Sequence, residues 1–351
     1  MARAVRGAII AIARPVLPRR VAHAVAIAAV LAAVADGAEA QRARVDGGPR
    51  RVSAPVRSRV RPVRPPPPRR PRQRRALSLR HPRRSWKARG EIRDVTGRFA
   101  DAYRRASAGT SVLPAEAADL VYLVVPGAMG RQVPRYMAKT QRHLESLGLE
   151  VHRSRINTAA GVAANAATLR GEILALARGR RSVVLVTHSK GGVDALAADA
   201  LYREIRPLVR ARVLMQPPWD GTPLADMVDG RLSRFALRLI GGSGALIADL
   251  KSAARQGFTL AHRTSHAIPT VTLATSQSGW SALTPVAAIL RSRGGGDSDG
   301  VVPKRSQEVP GSHVVRLDRL DHWSTVLEVP GAAYRPGPLA EALIAVALAI
   351  R

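Results

Sequence analysis

Residues 181–192 read RSVVLVTHSKGG, an apolar run that ends in a histidine, a serine and two glycines. The valine-rich part predicts a buried strand. A helix-compatible segment, from Val193 to Tyr202, follows at once. A strand, a tight turn and a helix in this order expose a nucleophilic serine, here Ser189. A serine that only caps the helix after a tight turn fits the same residues.

A second apolar run followed by small residues lies upstream. Residues 120–125 read LVYLVV and predict a buried strand, and residues 126–130 read PGAMG. Small residues at this point allow backbone N–H groups to face a negatively charged oxygen. These residues are therefore a candidate oxyanion loop. A turn that merely ends the strand is the alternative.

An aspartate and a histidine follow further strands downstream. Asp299 lies in the loop DSDGVVP (297–303), and His322 lies just after the predicted last strand, 313–318. Taken singly, Asp299 fits a turn-capping aspartate and His322 a capping histidine. Their order after an oxyanion loop and a serine is the order that a Ser-Asp-His triad on an α/β sheet requires.

Two other carboxylates compete for the role of the acid. Asp297 is the nearest rival, but Asp299 directly precedes the glycine and valines of its loop. Asp321 adjoins His322, and we expect its side chain to point away from that imidazole. Asp299 is therefore the predicted acid.

Four motifs together resemble the bacterial triacylglycerol lipases and related esterases of the α/β-hydrolase superfamily. The resemblance covers roughly residues 118–350. The segment 187–192 resembles the family's Gly-His-Ser-x-Gly-Gly elbow, and 215–226 (MQPPWDGTPLAD) resembles its Pro-His-x-Gly-Thr-Pro-x-Ala-Asp segment. SDGVVP (298–303) resembles the acid loop, and LDH (320–322) resembles the histidine loop.

The resemblance implies an α/β-hydrolase fold, a mostly parallel sheet with helices on both faces and a helical lid-like insertion. It implies carboxylic ester hydrolysis through an acyl-enzyme. In this sequence Ser189 would be the nucleophile, Asp299 the acid and His322 the base. Ala128 and Lys190 would supply the oxyanion hole.

The sequence departs from the family pattern at three places. Pro126-Gly127 replaces a His-Gly pair, so only the backbone role transfers, to Ala128. Thr187 replaces the first glycine of the elbow. Ser324 stands where many secreted lipases carry a calcium-binding aspartate, so no calcium site is expected.

Strands and helices alternate from Leu120 onward, which predicts a parallel sheet covered on both faces. The predicted helices span 132–147, 159–178, 190–204 and 338–350. The predicted strands span 120–125, 149–154, 182–187, 211–216, 268–276 and 313–318.

A long insertion, residues 219–266, interrupts this alternation. Its apolar side chains predict short amphipathic helices that cover an acyl pocket, with a peripheral helical bundle as the alternative. These side chains are Leu224, Leu237, Leu239, Ile240, Leu246, Ile247 and Phe258. An apolar ester or lipid is therefore the expected substrate.

Composition narrows the classes of chemistry. The chain of 351 residues contains no cysteine, which excludes disulfides and thiolate chemistry. Its nine histidines form no His-x-x-His or His-Glu-x-x-His pair, so neither a metal nor another cofactor is expected.

The net charge of +31 is concentrated at the N-terminus. Residues 1–90 carry 23 Lys and Arg against 3 Asp and Glu. Residues 1–40 combine arginines, an apolar run and a small-residue site, which suit a signal or membrane anchor. Export or membrane association follows if this signal is real, and a cytoplasmic location follows otherwise.

Residues 41–90 are rich in arginine and proline and predict a disordered linker to a catalytic domain at 91–351. Its charge favours weak contact with an anionic membrane or polymer, and a solvated spacer is the alternative. Aromatic residues for base stacking are scarce there, so no specific nucleic-acid binding is expected.

Other functions fit the same motifs. An acyltransferase or a thioesterase shares the triad and differs in its acceptor or leaving group. A non-catalytic protein that binds partners through its basic N-terminal tail is a third alternative.

Overall fold

The computed structural model of the protein describes residues 91–128, 130–227, 243–261, 267–278, 281, 283–292, 294–329 and 331–350. The predicted leader (1–40) and linker (41–90) lie outside these residues. The description begins at residue 91, the predicted first residue of the catalytic domain.

Within the described residues, seven parallel strands form one sheet in the order β1-β7-β6-β5-β4-β2-β3. The strands are β1 (Arg93–Asp94), β2 (Val121–Val125), β3 (Glu150–Arg153), β4 (Val183–His188), β5 (Val209–Met215), β6 (Thr270–Ser276) and β7 (His313–Asp318).

Ten α-helices accompany the sheet in the same part of the chain. They are α1 (Thr96–Ser107), α2 (Ala138–Ser146), α3 (Val162–Leu176), α4 (Lys190–Leu201), α5 (Pro223–Met227), α6 (Gly244–Leu250), α7 (Ser252–Ala261), α8 (Thr284–Ser292), α9 (Lys304–Gln307) and α10 (Pro336–Leu348). None of the described helices is long and apolar enough to cross a membrane.

Both faces of the sheet are buried, which explains the continuous apolar runs in the strands. Successive side chains of a strand point to opposite faces. In β2, Tyr122 and Val124 join the core beneath α1, α2 and α10, whereas Leu123 and Val125 join the core beneath α3 and α4. Each of these four residues is at most 1 % exposed.

The observed strands lie within two residues of the predicted bounds, but the helices differ more. Helix α2 begins at Ala138 rather than at 132, because Arg135 and Met137 adopt positive φ angles that no α-helix contains. Helix α4 ends at Leu201, ahead of a 3₁₀ turn that contains Pro207. The sequence interpretation did not include β1, α1, α8 or α9.

The strand order reverses between β2 and β4. The chain leaves β2 for β3 at one edge, and it then returns to pair β4 on the other side of β2. In open α/β sheets, ligands bind at the carboxyl ends of the strands where such a reversal opens a crevice. The loop after β2 and the serine after β4 meet at this position.

The insertion contributes three described helices, α5 to α7. The carboxylate of Asp249, in α6, accepts a hydrogen bond of 2.6 Å from the N–H of Val162 at the start of α3. Asp226 accepts hydrogen bonds from Ser252 at the start of α7. The predicted apolar residues Leu237, Leu239 and Ile240 lie outside the described residues.

We predict that deleting residues 1–90 leaves a folded, active domain, whereas extending the deletion through residue 110 destabilises it. The longer deletion removes β1 and α1, whose Phe99 is fully buried and stacks on Tyr103 at 5.8 Å. Thermal and urea unfolding of both proteins checks this. Phe99→Ala in the full chain tests the same packing with one substitution. It should lower the free energy of unfolding by about 3–5 kcal/mol. Unfolding of the 1–90 deletion would contradict the domain boundary.

Candidate active site

Ser189 occupies a strained turn between β4 and α4. Its backbone angles are φ 52° and ψ −129°, a conformation that costs a non-glycine residue about 1–3 kcal/mol. Its N–H donates to the carbonyl of Met215 at 2.8 Å, which ties the turn to β5. Its side chain makes no capping hydrogen bond to the helix. The alternative of a merely helix-capping serine is therefore wrong.

The turn lies against the end of β2 with no space for additional side-chain atoms. A Cβ at Gly191 would stand 2.6 Å from the carbonyl oxygen of Pro126 and 2.7 Å from that of Val125. A Cβ at Gly127 would stand 2.8 Å from the Cβ of Ser189. The two glycines thus permit the loop that carries Ala128 to lie beside the serine.

The structure brings Ser189, His322 and Asp299 together. Nε2 of His322 lies 3.0 Å from Oγ of Ser189, and Nδ1 of His322 lies 2.7 Å from Oδ2 of Asp299. The other carboxylate oxygen of Asp299 accepts the N–H groups of Val301 and Val302 at 2.8 and 2.7 Å. Asp299 is fully buried, so these contacts fix its orientation away from solvent.

A backbone contact joins the acid and histidine loops a second time. The N–H of His322 donates to the carbonyl of Asp299 at 2.9 Å. The rival acids face other groups. The Asp297 side chain is 74 % exposed and lies 3.7 Å from Arg291. The Asp321 carboxylate accepts the N–H groups of Trp323 and Ser324.

The side chain of Lys190 is buried beside an acidic partner. Its ammonium donates to both carboxylate oxygens of Asp194 at 2.8 and 2.9 Å, and Asn165 donates to one of them at 2.8 Å. Burial raises the pKa of Asp194 to about 6, although Lys190 opposes this shift. The backbone N–H of Lys190 lies in the first helical turn, where no intrahelical acceptor exists.

A small apolar cluster links the insertion to the loop after β2. Ala225, Leu246 and Leu250 form its buried part, and Ala128 and Ile247 pack against them. The first turn of the insertion is also tied to the acid loop.

That tie is a hydrogen bond from the Thr222 hydroxyl to the carbonyl of Val301, at 2.6 Å. Leu224 is half-buried in α5. Phe258 does not join the cluster at Ala128. It packs on the core beneath α3 and α4 and under the guanidinium of Arg255, 4.8 Å from the ring centroid.

Three polar residues beneath the serine received no role from the sequence. They are Tyr136, His188 and Gln216, and each is at most 2 % exposed. His188 ends β4 and Gln216 follows β5, so polar residues at the carboxyl ends of buried strands were the available signal. Tyr136 lies in an irregular loop and had no such signal.

The residues that could hold a metal ion are few. The described part of the chain contains no group of three or more His, Asp or Glu side chains arranged to bind one. At the position of the calcium-binding aspartate of secreted lipases, the Ser324 hydroxyl donates to the carbonyl of Asp321 at 3.0 Å.

Comparisons with solved structures identify similar folds. The metagenomic carboxyl esterase MGS0156 superposes with a TM-score of 0.63 at 22 % identity, covering 73 % of this chain and 92 % of that one. Mature Bacillus licheniformis lipase BlEst2 superposes with a TM-score of 0.51 at 20 % identity, covering 59 % of this chain and 86 % of that one. EstA from Clostridium botulinum superposes with a TM-score of 0.50 at 12 % identity, covering 75 % of this chain and 95 % of that one.

Comparisons at the level of sequence find less. No family model matches the chain, and no curated protein matches it. The structural likeness and the parallel sheet with its strand-order reversal confirm the predicted α/β-hydrolase fold.

We predict that Gly191→Ala lowers both stability and activity, because its Cβ would collide with two fixed backbone carbonyls. Forced overpacking of this kind costs about 1–3 kcal/mol. Gly171→Ala, in the middle of α3 with open space around it, is the matched control. It should stabilise the domain by about 0.5–1 kcal/mol. Urea unfolding and ester hydrolysis measure both effects. Unchanged stability and activity in Gly191→Ala would show that the close approach is not required.

Proposed function

We propose that the protein is a carboxylic ester hydrolase that uses Ser189 as its nucleophile. One observation carries this proposal: a hydrogen-bonded chain that begins at Ser189, in a strained turn after a buried strand, and runs through His322 to Asp299. The named neighbours are carboxyl esterases and lipases, which supports the same class of reaction.

In the proposed acylation step, Oγ of Ser189 attacks the ester carbonyl and its proton passes to Nε2 of His322. Asp299 accepts the Nδ1–H bond, orients the ring and stabilises the imidazolium. His322 then protonates the leaving alcohol, which breaks the ester C–O bond and leaves an acyl-Ser189 ester. A water molecule, deprotonated by the same imidazole, releases the carboxylic acid and restores the serine.

The oxyanion formed in each step needs donors on the side opposite His322. We assign this role to the backbone N–H groups of Lys190 and Ala128. The contacts of Gly191 and Gly127 support the assignment, because they place both segments beside Ser189. Removing one donor of an oxyanion hole typically costs about 10²–10³ in kcat.

The substrate of this reaction is proposed to be an apolar ester. The apolar cluster of Ala225, Leu246 and Leu250 lies against Ala128, on the same side as the proposed oxyanion hole. The one cation adjoining the nucleophile in sequence, Lys190, is buried against Asp194 and is thus not presented to a phosphate. Phosphoryl transfer would require convergent cations or a metal instead.

We predict that Ser189→Ala, His322→Ala and Asp299→Asn each lower kcat/KM for a short p-nitrophenyl ester by about 10³-fold or more. The losses should not multiply in combination, because triad members act as a unit. A fluorophosphonate probe should label the wild-type serine and fail to label Ser189→Ala, since only an activated serine reacts.

Asp297→Asn is the matched control for the acid, because its side chain is exposed and lies outside the hydrogen-bonded chain. It should retain wild-type activity. If Asp297→Asn were inactive and Asp299→Asn active, Asp297 and not Asp299 would be the acid of the triad. Release of p-nitrophenol that depends on an added alcohol or thiol acceptor would point to an acyltransferase. Absence of labelling would favour the binding-protein alternative.

We predict that kcat/KM rises with acyl length across p-nitrophenyl esters of two to sixteen carbons, then falls once the pocket is full. Each buried methylene contributes about 0.8 kcal/mol, or about fourfold. Ile247→Ala should flatten the rise for longer chains and spare the acetate. Leu201→Ala, an exposed leucine at the end of α4, is the control. A flat profile in the wild type would contradict the proposed acyl pocket without contradicting the proposed triad.

A further inference from the structure

Beneath the proposed triad lies a continuous chain of buried hydrogen bonds that the reaction does not use. It connects the loop after β2 with the histidine loop, through Tyr136, His188 and Gln216. Each of these side chains is at most 2 % exposed, so bulk water does not compete for their hydrogen bonds.

The contacts of His188 determine its tautomer. Its Nε2 lies 3.0 Å from the side-chain oxygen of Gln216 and 3.1 Å from the main-chain carbonyl of His322. Both partners are acceptors, so Nε2 carries the proton and Nδ1 has a free lone pair. The Tyr136 hydroxyl contacts that Nδ1 and therefore donates to it. Burial and the neighbouring His322 hold the pKa of His188 well below its usual range, so the ring stays neutral.

The other end of the chain is the loop after β2. The Tyr136 hydroxyl accepts the backbone N–H of Gly127, and a Cβ on that glycine would stand only 2.6 Å from the hydroxyl oxygen. Every donor thus points the same way, from Gly127 through Tyr136 into His188. From the other nitrogen of His188, the chain continues to the carbonyl of His322.

Gln216 reinforces the link on the histidine side. Its amide nitrogen donates to the carbonyl of Asp321 at 3.1 Å and to the hydroxyl of Thr275 at 2.5 Å. Its oxygen accepts the hydroxyl of Thr325 at 2.7 Å. Both donors and the oxygen of the amide are used, so its orientation is determined by its surroundings.

We propose that Tyr136, His188 and Gln216 are positioning residues that hold the oxyanion loop and the histidine loop in register around Ser189. This inference rests on the proposed ester-hydrolase function. Gly127 gives its N–H to Tyr136, and the following residue, Ala128, is then left to face the substrate. Because His188 immediately precedes Ser189, the same ring fixes all three segments against one another.

Tyr136→Phe tests the proposal, since it removes one hydroxyl and keeps the ring. With a short p-nitrophenyl ester, kcat should fall by about 10–100-fold, below the cost of losing an oxyanion donor outright. KM should change less than about threefold, because the loop acts on the transition state. Affinity for a boronic acid or trifluoromethyl ketone should fall by the same factor as kcat/KM.

Tyr122→Phe is the matched control. Tyr122 is also fully buried, and its hydroxyl donates to the carbonyl of Ala117 at 3.0 Å, at the opposite end of β2. Tyr136→Phe loses two buried hydrogen bonds and Tyr122→Phe loses one, so the melting temperature should fall in both variants and further in Tyr136→Phe. Only Tyr136→Phe should lose kcat and inhibitor affinity. Equal activity in the two variants would overturn the proposal.

Thr325→Val removes the hydroxyl that donates to Gln216 and keeps the side-chain volume nearly constant. It tests the network from the histidine side and replaces Tyr136→Phe if that variant does not fold. It should lower kcat with KM maintained. In the double variant the combined loss should be smaller than the product of the single losses, since both act through His188. Losses that multiply would overturn the coupling.

The wild type and the variants test the two proposals separately. Wild-type protein that hydrolyses the ester and is labelled at Ser189 establishes the enzyme, whatever the variants do. Unchanged kcat in Tyr136→Phe and Thr325→Val then rejects only the positioning network. Failure of wild-type labelling and hydrolysis rejects both proposals.

Discussion

The close approach of the turn at Ser189 to the end of β2 is the contact on which the rest of the site depends. Two backbone carbonyls, those of Val125 and Pro126, occupy the space where a side chain of Gly191 would lie. This approach is available only because β2 and β4 are neighbours at the reversal of strand order. The sheet topology thereby determines which loop lies beside Ser189 and is proposed to supply the oxyanion hole.

The polar groups below this contact are arranged for a buried, low-dielectric environment. An unpaired polar group there is costly, whereas a fully paired network restricts its members to one arrangement. The neutral ring of His188 lies with its centroid 4.7 Å from that of His322. A second charged imidazole at that distance would oppose the imidazolium that the proposed mechanism forms. Burial of His188 therefore suits the proton chemistry assigned to its neighbour.

Charge is compensated locally on the other side of the turn. Lys190 and Asp194 are both almost completely buried and lie one helical turn apart in α4. Arg255 from α7 is also buried, and burial lowers its pKa to about 10 despite the nearby carboxylates of Asp194 and Asp249. These groups connect the insertion to the helix that follows Ser189, and the apolar cluster at Ala128 connects it to the loop after β2.

The sequence alone determined six of the seven described strands, because apolar runs buried on both faces are continuous and short, and His313–Asp318 lies at its predicted bounds. Motif order also brought Ser189, Asp299 and His322 forward as candidates. The loop motif favoured Asp299 over Asp297. Only the tertiary structure places Oδ2 of Asp299 at 2.7 Å from the imidazole of His322, because the path of the loop determines where each carboxylate points. It alone placed Tyr136 beside His188, because a contact across 52 residues leaves no periodic trace in the sequence.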